Sequence, residues 1–310
     1  MNDDKITTGG TEYLSQEPIE LSHSAINDWA RCPSYYLYRR VFKISPVGEK
    51  EGARGFGKAV HLADELRSKG AASDQAIDAA LASFTPDATD DLRTPYRLRL
   101  LLEEYFKYYS FDVQRYDWLG SEVWFSLPLT PTINYRGYID KVLKEKASGT
   151  IWFKDIKTTS MPSSFVSEPN SQFSGYLIAD KVLKPTLYPG AELKGLIVDV
   201  IAVQKTKPEA RKDGKGWLAG KGPSDVFFRY PTYRTPAQLV EWEMETRVLA
   251  YMIQSCHEMG VWPRWDNCRK YNQECPYRPL CNRETKDRAN IINSQMYQVI
   301  PERKTPCITS

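Results

Sequence analysis

The stretch that decides the fold is GYIDKVLKEKASGTIWFKDIKTTS, residues Gly137–Ser160. Two runs typical of β-strands flank the polar, glycine-containing segment KASG, which predicts an antiparallel hairpin. Asp140 lies in the first run, and Asp155 and Lys157 lie in the second. Aspartate is a poor strand former, and a buried charge is costly unless it is paired or bound to a metal. The three charged residues therefore require a chemical explanation.

The length of the turn decides which of these side chains face each other. If Lys146–Gly149 form the loop, Asp140 lies opposite Asp155 with Cβ atoms about 4.5–5.5 Å apart, and Lys157 shares their face. A two-residue turn would instead place Asp140 opposite Lys157, with all three still on one face. Two carboxylates this close repel each other unless a cation lies between them, and oxygen ligands suit Mg²⁺ or Mn²⁺. The alternative is a surface hairpin whose charged side chains face solvent.

A lysine beside such a metal site is typical of phosphate chemistry. Its ammonium group can orient an attacking water molecule or offset the negative charge that develops on phosphoryl oxygens. The hairpin therefore predicts a metal site for the hydrolysis of phosphodiester bonds.

Composition limits the classes of protein to consider. The chain has 310 residues, of which 41% are hydrophobic and 26% are charged, as is usual for a globular protein. Its net charge of +3 permits nucleic-acid binding but does not favour it. The best apolar run, GLIVDVIAV, is too short to span a bilayer, and the N-terminal residues lack the basic start and apolar core of a signal peptide. We therefore expect a cytoplasmic protein that contacts no membrane, beginning with a disordered tail over residues 1–19.

Helix and strand signals alternate along the rest of the chain. Ser22 or Ser24 is the expected cap of a first helix, and a glycine-rich segment leads into a helix that carries His61. Apolar spacing predicts helical structure from about Ser73 to Tyr116 and a long helix from Pro236 to Met259. Strands are predicted at EVWFSLPL, YRGYIDKVL, TIWFKDIKT, GLIVDVIAV and VFFRYPTY, with a helix at SQFSGYLIADKVL between the third and the fourth. This order predicts one mixed α/β domain.

The order of the motifs resembles the PD-(D/E)XK nuclease superfamily, and most closely its RecB-like branch, which includes the AddB nuclease domain and the CRISPR-associated adaptation exonucleases. In that branch a helical histidine precedes a strand ending in G-x-I-D, a strand reading (D/E)-x-K and a helix carrying Q-x-x-x-Y. The matching segments here are GKAVH, GYID, DIK and QFSGY, which supply His61, Asp140, Asp155, Lys157, Gln172 and Tyr176.

The resemblance implies a role for each matching residue. The metal ligands would be His61, Asp140, Asp155 and the backbone carbonyl of Ile156, and Lys157 would be catalytic. The remaining pair, Gln172 and Tyr176, would support the catalytic site or touch DNA. Glu122 lies in the preceding strand, where relatives often carry an acidic residue, and it ranks below the others as a candidate.

The resemblance also implies a fold and an activity. The fold would be a restriction-endonuclease-like core, a mixed sheet flanked by helices, within one domain over residues 20–285 that has a helical insertion at about 62–118. The activity would be that of a deoxyribonuclease dependent on Mg²⁺ or Mn²⁺, working as an exonuclease on single strands or DNA ends in recombination, repair or DNA processing. One alternative is a non-catalytic iron–sulfur subunit that binds DNA within a recombination or adaptation complex, and another is a site-specific endonuclease.

Three of the six cysteines, Cys268, Cys275 and Cys281, are closely spaced near the C-terminus. In a reducing compartment such a group suggests metal thiolates rather than disulfides. The iron–sulfur members of the RecB-like branch imply a 4Fe–4S cluster in which Cys32 is the fourth ligand, stapling the N-terminal helix to the C-terminal segment. Free buried thiols or a Zn²⁺ site remain alternatives, although the close C-x₂-C pairs typical of zinc are missing. Of the other two cysteines, Cys256 would pack as a small hydrophobe, and Cys307 would lie in a tail over residues 286–310.

A nuclease also needs phosphate contacts away from its catalytic centre. Basic candidates near the N-terminus are Arg39, Arg40 and Arg54. A basic, glycine-rich loop adds Lys205, Lys207, Arg211, Lys212, Lys215 and Lys221, with Trp217 as a side chain that could stack on unpaired bases. The alternative is that these charges are simply solvated.

Overall fold

The computed structural model of the protein describes residues 18–49, 52–165, 170–203, 223–270 and 273–300. The helices are α1 (His23–Arg31), α2 (Pro33–Tyr36), α3 (Gly52–Ser68), α4 (Ser73–Ser83), α5 (Pro95–Tyr108), α6 (Asp112–Arg115), α7 (Ser171–Leu177), α8 (Asp180–Leu187), α9 (Pro236–Met259), α10 (Arg278–Cys281) and α11 (Thr285–Ile291). The strands are β1 (Ile19–Leu21), β2 (Ile44–Pro46), β3 (Tyr116–Thr130), β4 (Ile133–Glu145), β5 (Ile151–Thr159), β6 (Leu193–Ala202), β7 (Phe227–Thr232), β8 (Arg269–Lys270), β9 (Gln273–Glu274) and β10 (Tyr297–Val299). Short 3₁₀ segments at Pro162–Phe165 and Pro223–Asp225 and π-helical turns at Leu37–Val41 and Ile292–Met296 complete the elements.

Six strands of the described part of the chain form one mixed sheet. β4 pairs with β3 and runs antiparallel to β5, whereas β5 runs parallel to β6. β7 adds an antiparallel edge next to β6, and β1 pairs in parallel with the first residues of β4. The predicted mixed α/β architecture, with helices flanking a mixed sheet, is confirmed.

The register of the β4–β5 hairpin follows the first of the two predicted arrangements. Lys141 pairs with Lys154, and Lys144 pairs with Ile151. The N–H of Glu145 donates to the carbonyl of Thr150 at 2.8 Å, so the turn occupies the KASG segment. Gly149 closes the turn at a φ of +73°, in the left-handed region that glycine adopts without steric cost. Continued by one residue, this register places Asp140 opposite Asp155.

The chain divides into two compact units, and the predicted single domain over residues 20–285 stays a prediction. The first unit comprises residues 1–49, 128–135 and 245–310, and the second comprises residues 50–127 and 136–244. In the second unit, α3 packs on β5 and α4 packs with α3 and α5, so that the three helices share one core with the sheet. Its core includes Phe56, Ile77, Leu101, Ile156 and Ile201, which are all almost completely buried.

The first unit has an aromatic core of its own. Tyr35 and Tyr38 pack with Tyr277, whose hydroxyl donates to the carbonyl of Ile44 at 2.6 Å. Tyr297 stacks on Tyr277, with 5.8 Å between the ring centroids. Tyr35 and Tyr38, from the segment YYLYRR at residues 35–40, therefore form part of this core.

Several element boundaries differ from the predictions. The helix predicted over 171–183 is two helices, because the backbone breaks at Ile178 and Ala179. Ile19 belongs to β1, so the predicted N-terminal tail ends earlier than residue 19. Part of the predicted C-terminal tail is ordered, because α11 lies there and β10 pairs with β2. The long final helix, Pro236–Met259, and the Ser22 cap, whose Oγ accepts from the N–H of Ala25 at 3.2 Å, are confirmed.

The region predicted as a helical insertion contains the rest of α3 and the helices α4, α5 and α6. Its status as an insertion into the family core stays a prediction. None of the described helices combines the length and the apolar character needed to cross a membrane.

Candidate active site

Helix α3 and strand β4 bring His61 and Asp140 together in the second unit. Gly57 lies one helical turn before His61 on the same face of α3. A Cβ atom on Gly57 would lie 3.4 Å from Oγ1 of Thr158, so the helix approaches the end of β5 about as closely as a side chain would permit. In this arrangement, Nδ1 of His61 lies 3.2 Å from Oδ2 of Asp140.

Asp140 also binds the backbone of β5. The β4–β5 ladder runs from Lys141 to Lys144, and Asp140 lies just beyond it. Its Oδ2 accepts the N–H of Ile156 at 2.9 Å, so the carboxylate bridges the two strands where their ladder ends. This contact fixes the direction of the carboxylate, whereas the predicted role of the Ile156 carbonyl as a metal ligand stays a prediction.

Glu122 completes a group of three ligand side chains. One atom from each of His61, Glu122 and Asp140 lies within 4.8 Å of the others, and among the described residues no further group of this kind is found. Glu122 has a φ of +50°, which is unusual for a non-glycine residue. The structure therefore gives Glu122 a central place, although the sequence ranked it below the other candidates.

Asp155 and Lys157 form an ion pair on β5. Nζ of Lys157 lies 2.9 Å from Oδ1 of Asp155, and the two side chains share a face, as alternation along a strand predicts. Asp155 is completely buried, and its Oδ2 has no hydrogen-bond partner within the described residues. A buried carboxylate oxygen without a hydrogen-bond donor is costly. This oxygen of Asp155 is therefore suited to bind a ligand such as a metal ion.

Electrostatics tie these groups to one another. Burial alone would lower the pKa of His61, but the Asp140 carboxylate outweighs it and raises that pKa to about 9. Burial opposes ionisation of Asp140, yet the contact with His61 leaves its pKa below the usual range. Burial raises the pKa of Asp155 to about 6, although Lys157 favours its charged form. In the metal-free protein, a proton on His61 therefore supplies the positive charge that Asp140 needs.

The donor set fits a hard divalent cation. Carboxylate oxygens suit Mg²⁺ or Mn²⁺, and an imidazole nitrogen is compatible with Mn²⁺. The residues that could hold the ion are His61, Glu122 and Asp140, with the unpartnered oxygen of Asp155 as a further donor.

Residues 20–282 match the family model that is described as the PD-(D/E)XK nuclease superfamily. This span covers most of the chain and contains every residue of the site described above. The chain belongs to the PD-(D/E)XK nuclease superfamily. The superfamily predicted from the order of the motifs is thereby confirmed, while its RecB-like branch stays a prediction.

Comparison of this PD-(D/E)XK protein with other proteins gives little beyond the superfamily. Among solved structures it is similar to the crystal structure of LHK-Exo in complex with dAMP, at 14% identity and a TM-score of 0.29. That similarity covers 67% of this chain and 93% of LHK-Exo. No curated protein matches the sequence.

The predicted Q-x-x-x-Y pair of this PD-(D/E)XK chain lies on α7. Oδ1 of Asn170 caps the helix by accepting from the N–H groups of Gln172 and Phe173, at 3.0 and 3.3 Å. One turn separates Gln172 from Tyr176, and Nε2 of Gln172 donates to the hydroxyl of Tyr176 at 2.8 Å. The structure thus brings the two side chains together, and their contact with the catalytic site or with DNA stays a prediction.

A buried ion network, which the sequence did not predict, joins residues of strands β5, β6 and β7. Nζ of Lys154 lies 3.0 Å from Oδ2 of Asp199, which also accepts from the hydroxyl of Tyr105 at 2.7 Å. The guanidinium of Arg229 binds both Asp199 and Asp112 through two hydrogen bonds each. A sequence cannot show that charges so far apart along the chain converge, although the isolated Asp199 in an apolar strand was a usable signal.

A second buried pair continues this pattern. Nζ of Lys141 lies 2.6 Å from Oδ1 of Asp64, and both side chains are almost fully buried. Lys141 follows Asp140 in the chain and Lys154 precedes Asp155, so a buried lysine stands next to each of the two aspartates. Alternation along the strands turns each lysine to the face opposite its neighbouring aspartate.

The predicted DNA-binding residues have different surroundings. In the first unit, Nη1 of Arg39 lies 3.2 Å from Oε1 of Glu49, and Nε of Arg40 lies 2.7 Å from Oδ2 of Asp28. A phosphate would have to share or replace these partners. Arg54 is exposed in the first turn of α3. The loop candidates Lys205, Lys207, Arg211, Lys212, Lys215, Trp217 and Lys221 lie outside the described residues, so all these DNA contacts stay predictions.

The four predicted cluster cysteines all lie in the first unit. Burial raises the pKa of Cys275, and the nearby thiols of Cys268 and Cys32 raise it further. Burial likewise raises the pKa of Cys281, followed by the effect of Cys275. The N–H of Cys275 donates to the carbonyl of Cys268 at 2.7 Å. The thiols thus lie within electrostatic range of one another, although they do not form a group within 4.8 Å among the described residues.

The two remaining cysteines are not predicted ligands of the cluster. Cys256 is buried on α9, in keeping with its predicted role as a small hydrophobe. Cys307 lies outside the described residues.

Proposed function

We propose that this PD-(D/E)XK protein is a metal-dependent deoxyribonuclease that hydrolyses phosphodiester bonds as an exonuclease on single-stranded DNA or DNA ends. The observation that carries the proposal is the convergence of His61, Glu122 and Asp140, within 4.8 Å of one another, in a protein that also pairs Asp155 with Lys157. A superfamily whose members cut nucleic acids supports the substrate, and the metal is Mg²⁺ or Mn²⁺.

Each side chain has a chemical part in this proposal. His61, Glu122, Asp140 and Asp155 hold the cation, and the N–H of Ile156 fixes the direction of Asp140. A divalent ion in this position would neutralise phosphate charge and lower the pKa of a bound water molecule.

Lys157 provides a positive charge beside the same site. Its side chain is 19% exposed, so its ammonium group reaches solvent while it pairs with Asp155. From there it can donate to a phosphate oxygen or hold the attacking water molecule.

The first unit is proposed to bind a 4Fe–4S cluster through Cys32, Cys268, Cys275 and Cys281, with Zn²⁺ as the alternative. The proposal rests on the resemblance and on the spacing of the cysteines, because the described thiols form no group of ligand atoms within 4.8 Å of one another. Arg31 and Arg264 favour the thiolate forms of Cys275 and Cys281, although burial leaves the pKa of each thiol raised.

The catalytic proposal is tested by assaying the purified chain with Mg²⁺ or Mn²⁺ on linear single-stranded, linear duplex and circular DNA. We expect Asp155→Ala and Lys157→Ala each to lower turnover by at least ~10²-fold, because each removes a group that stabilises the transition state. Lys144→Ala is the matched control, since Lys144 is exposed on the same hairpin. An exonuclease leaves closed circles intact, whereas their cleavage would identify an endonuclease. Wild-type turnover in Asp155→Ala would reject the catalytic assignment.

A further inference from the structure

The β3–β4 hairpin of the second unit has one apolar face and one face that carries the candidate metal ligands. A Cβ atom on Gly137 would lie 2.8 Å from the ring of Phe125, so these two residues lie opposite each other on the packed face. On that face, Phe125 and Ile139 are 2% and 1% exposed. The neighbouring residues Trp124 and Tyr138 point to the other face by strand alternation, and both are half-buried.

Trp124 and Tyr138 form a ring pair on that second face. Their centroids lie 5.0 Å apart with 58° between the planes. The guanidinium carbon of Arg136, two residues before Tyr138 on the same strand face, lies 5.5 Å from the centre of the Trp124 ring. The three side chains thus combine aromatic surface with a positive charge, which is the combination that single-stranded nucleic acids bind.

The ring pair lies directly beside the ligand group. Asp140 follows Tyr138 by two residues on β4, so these two side chains share one face. Glu122 precedes Trp124 by two residues on β3, and its ligand atom lies within 4.8 Å of that of Asp140. Two residues along a strand span about 7 Å, which equals the rise of about two stacked nucleotides. A DNA strand whose phosphate reaches Glu122 and Asp140 therefore has its next bases at the height of the rings.

We infer that Trp124, Tyr138 and Arg136 form a platform on which an unpaired nucleobase stacks, one or two nucleotides from the phosphodiester bond that is cut. This inference rests on the proposed nuclease function and adds a substrate requirement to it. A base can stack on the platform only when it is unpaired, so the platform selects single strands or frayed ends. Because every base has a π-face, the selection does not depend on sequence.

The first experiment measures the affinity for a labelled single-stranded oligonucleotide by fluorescence anisotropy, with Ca²⁺ in place of the catalytic metal and intact substrate verified on a gel. Loss of one base–aromatic stack should raise the Kd of Trp124→Leu about 5- to 150-fold. Trp124→Phe keeps a ring and should recover most of the affinity. Trp118→Leu is the control, because Trp118 lies on the same strand but packs near Leu143 and Trp152. A Kd of Trp124→Leu equal to that of the wild type would overturn the inference.

The second experiment changes the DNA and leaves the protein intact. An oligonucleotide with abasic sites at the nucleotides next to its end should bind the wild type as weakly as the normal oligonucleotide binds Trp124→Leu. The same abasic DNA should bind Trp124→Leu with little further loss, because one stack cannot be removed twice. Additive losses would overturn the platform.

Cleavage assays separate this inference from the proposed function. If the wild type cuts DNA and the abasic ends bind normally, the platform is wrong and the nuclease stands. If the wild type binds in a base-dependent way but cuts no DNA with Mg²⁺ or Mn²⁺, the nuclease is wrong and the platform stands.

Discussion

Glu122 combines an unfavourable backbone conformation with a place in the candidate metal site. Left-handed backbone costs an ordinary residue about 1–2 kcal/mol, and such strain persists where the surrounding structure imposes it. The φ of +50° occurs within β3, at the residue whose carboxylate joins His61 and Asp140. A role of the Glu122 carboxylate in metal binding would therefore explain why a strained backbone conformation occurs at this residue.

Replacing Glu122 with asparagine separates these two effects. Asparagine adopts left-handed backbone more readily than glutamate, so the metal-free Glu122→Asn variant should melt at the wild-type temperature or above it. Loss of a ligand should weaken Mn²⁺ affinity at least ~10-fold and shrink the rise in Tm that Mn²⁺ produces. Thermal melts with and without Mn²⁺ measure both quantities, and Glu103→Asn, at an exposed position of α5, is the control. A full Mn²⁺-dependent rise in Glu122→Asn would mean that this carboxylate does not bind the metal.

At the scale of elements, buried ion pairs join the strand that carries Asp155 and Lys157 to its neighbours. Lys154 on β5, Asp199 on β6 and Arg229 on β7 link neighbouring strands, and Asp112 and Tyr105 join helices to the same network. Burial opposes ionisation of Asp199, but Lys154 and Arg229 outweigh it and hold its pKa far below the usual range. Because Lys154 is adjacent to Asp155, the network also restrains the strand at the candidate active site.

Asp199→Asn should destabilise the protein by ~3–5 kcal/mol at neutral pH, because it leaves buried positive charges without their partner. Urea unfolding measures the loss, and Asp78→Asn, which affects an exposed ion pair with Arg99, should cost less than ~1 kcal/mol. A loss as small as that of Asp78→Asn would mean that the network is not a major source of stability.

The same carboxylate predicts a dependence of stability on pH. Since the pKa of Asp199 in the folded state lies below its ordinary value of 3.8, its ion pairs stabilise the fold fully above about pH 4. The stabilisation is lost as the pH falls further, because the unfolded chain then takes up a proton that the folded chain resists. The free energy of unfolding should therefore fall less steeply below pH 4 in Asp199→Asn than in the wild type. Equal slopes would contradict a depressed pKa.

The sequence predicted the elements of the site better than their connections. The β4–β5 hairpin follows from strand propensity and a glycine turn, which are local properties, and Asp140, Asp155 and Lys157 could be assigned to it. The proximity of Glu122 to His61 and Asp140 could not be predicted, because it depends on a local backbone conformation that residue types do not encode. The buried ion network could not be predicted for a similar reason, since Asp112, Asp199 and Arg229 meet only after the chain has folded.

At the scale of the whole molecule, the first unit draws on three separate parts of the chain. Its core is largely aromatic, with Tyr38, Tyr277 and Tyr297 packed around Ile44. Joining remote segments has a large cost in chain entropy, which a shared metal cluster could reduce by fixing their ends together. Cys32 from the first segment and Cys281 from the last are in electrostatic contact within this unit.

A cluster held by Cys32, Cys268, Cys275 and Cys281 should therefore support the fold of the first unit. Protein purified without oxygen should contain about four irons per chain and absorb visible light. Cys281→Ser should lose both the iron and the absorption. Its Tm should also fall, because a cluster that binds only the folded state stabilises that state. Cys256→Ala is the matched control, since Cys256 is buried on α9 and is not a predicted ligand. Zinc in place of iron would select the alternative metal, whereas a wild-type protein without either metal would remove the cluster from the proposal while leaving the carboxylate site untouched.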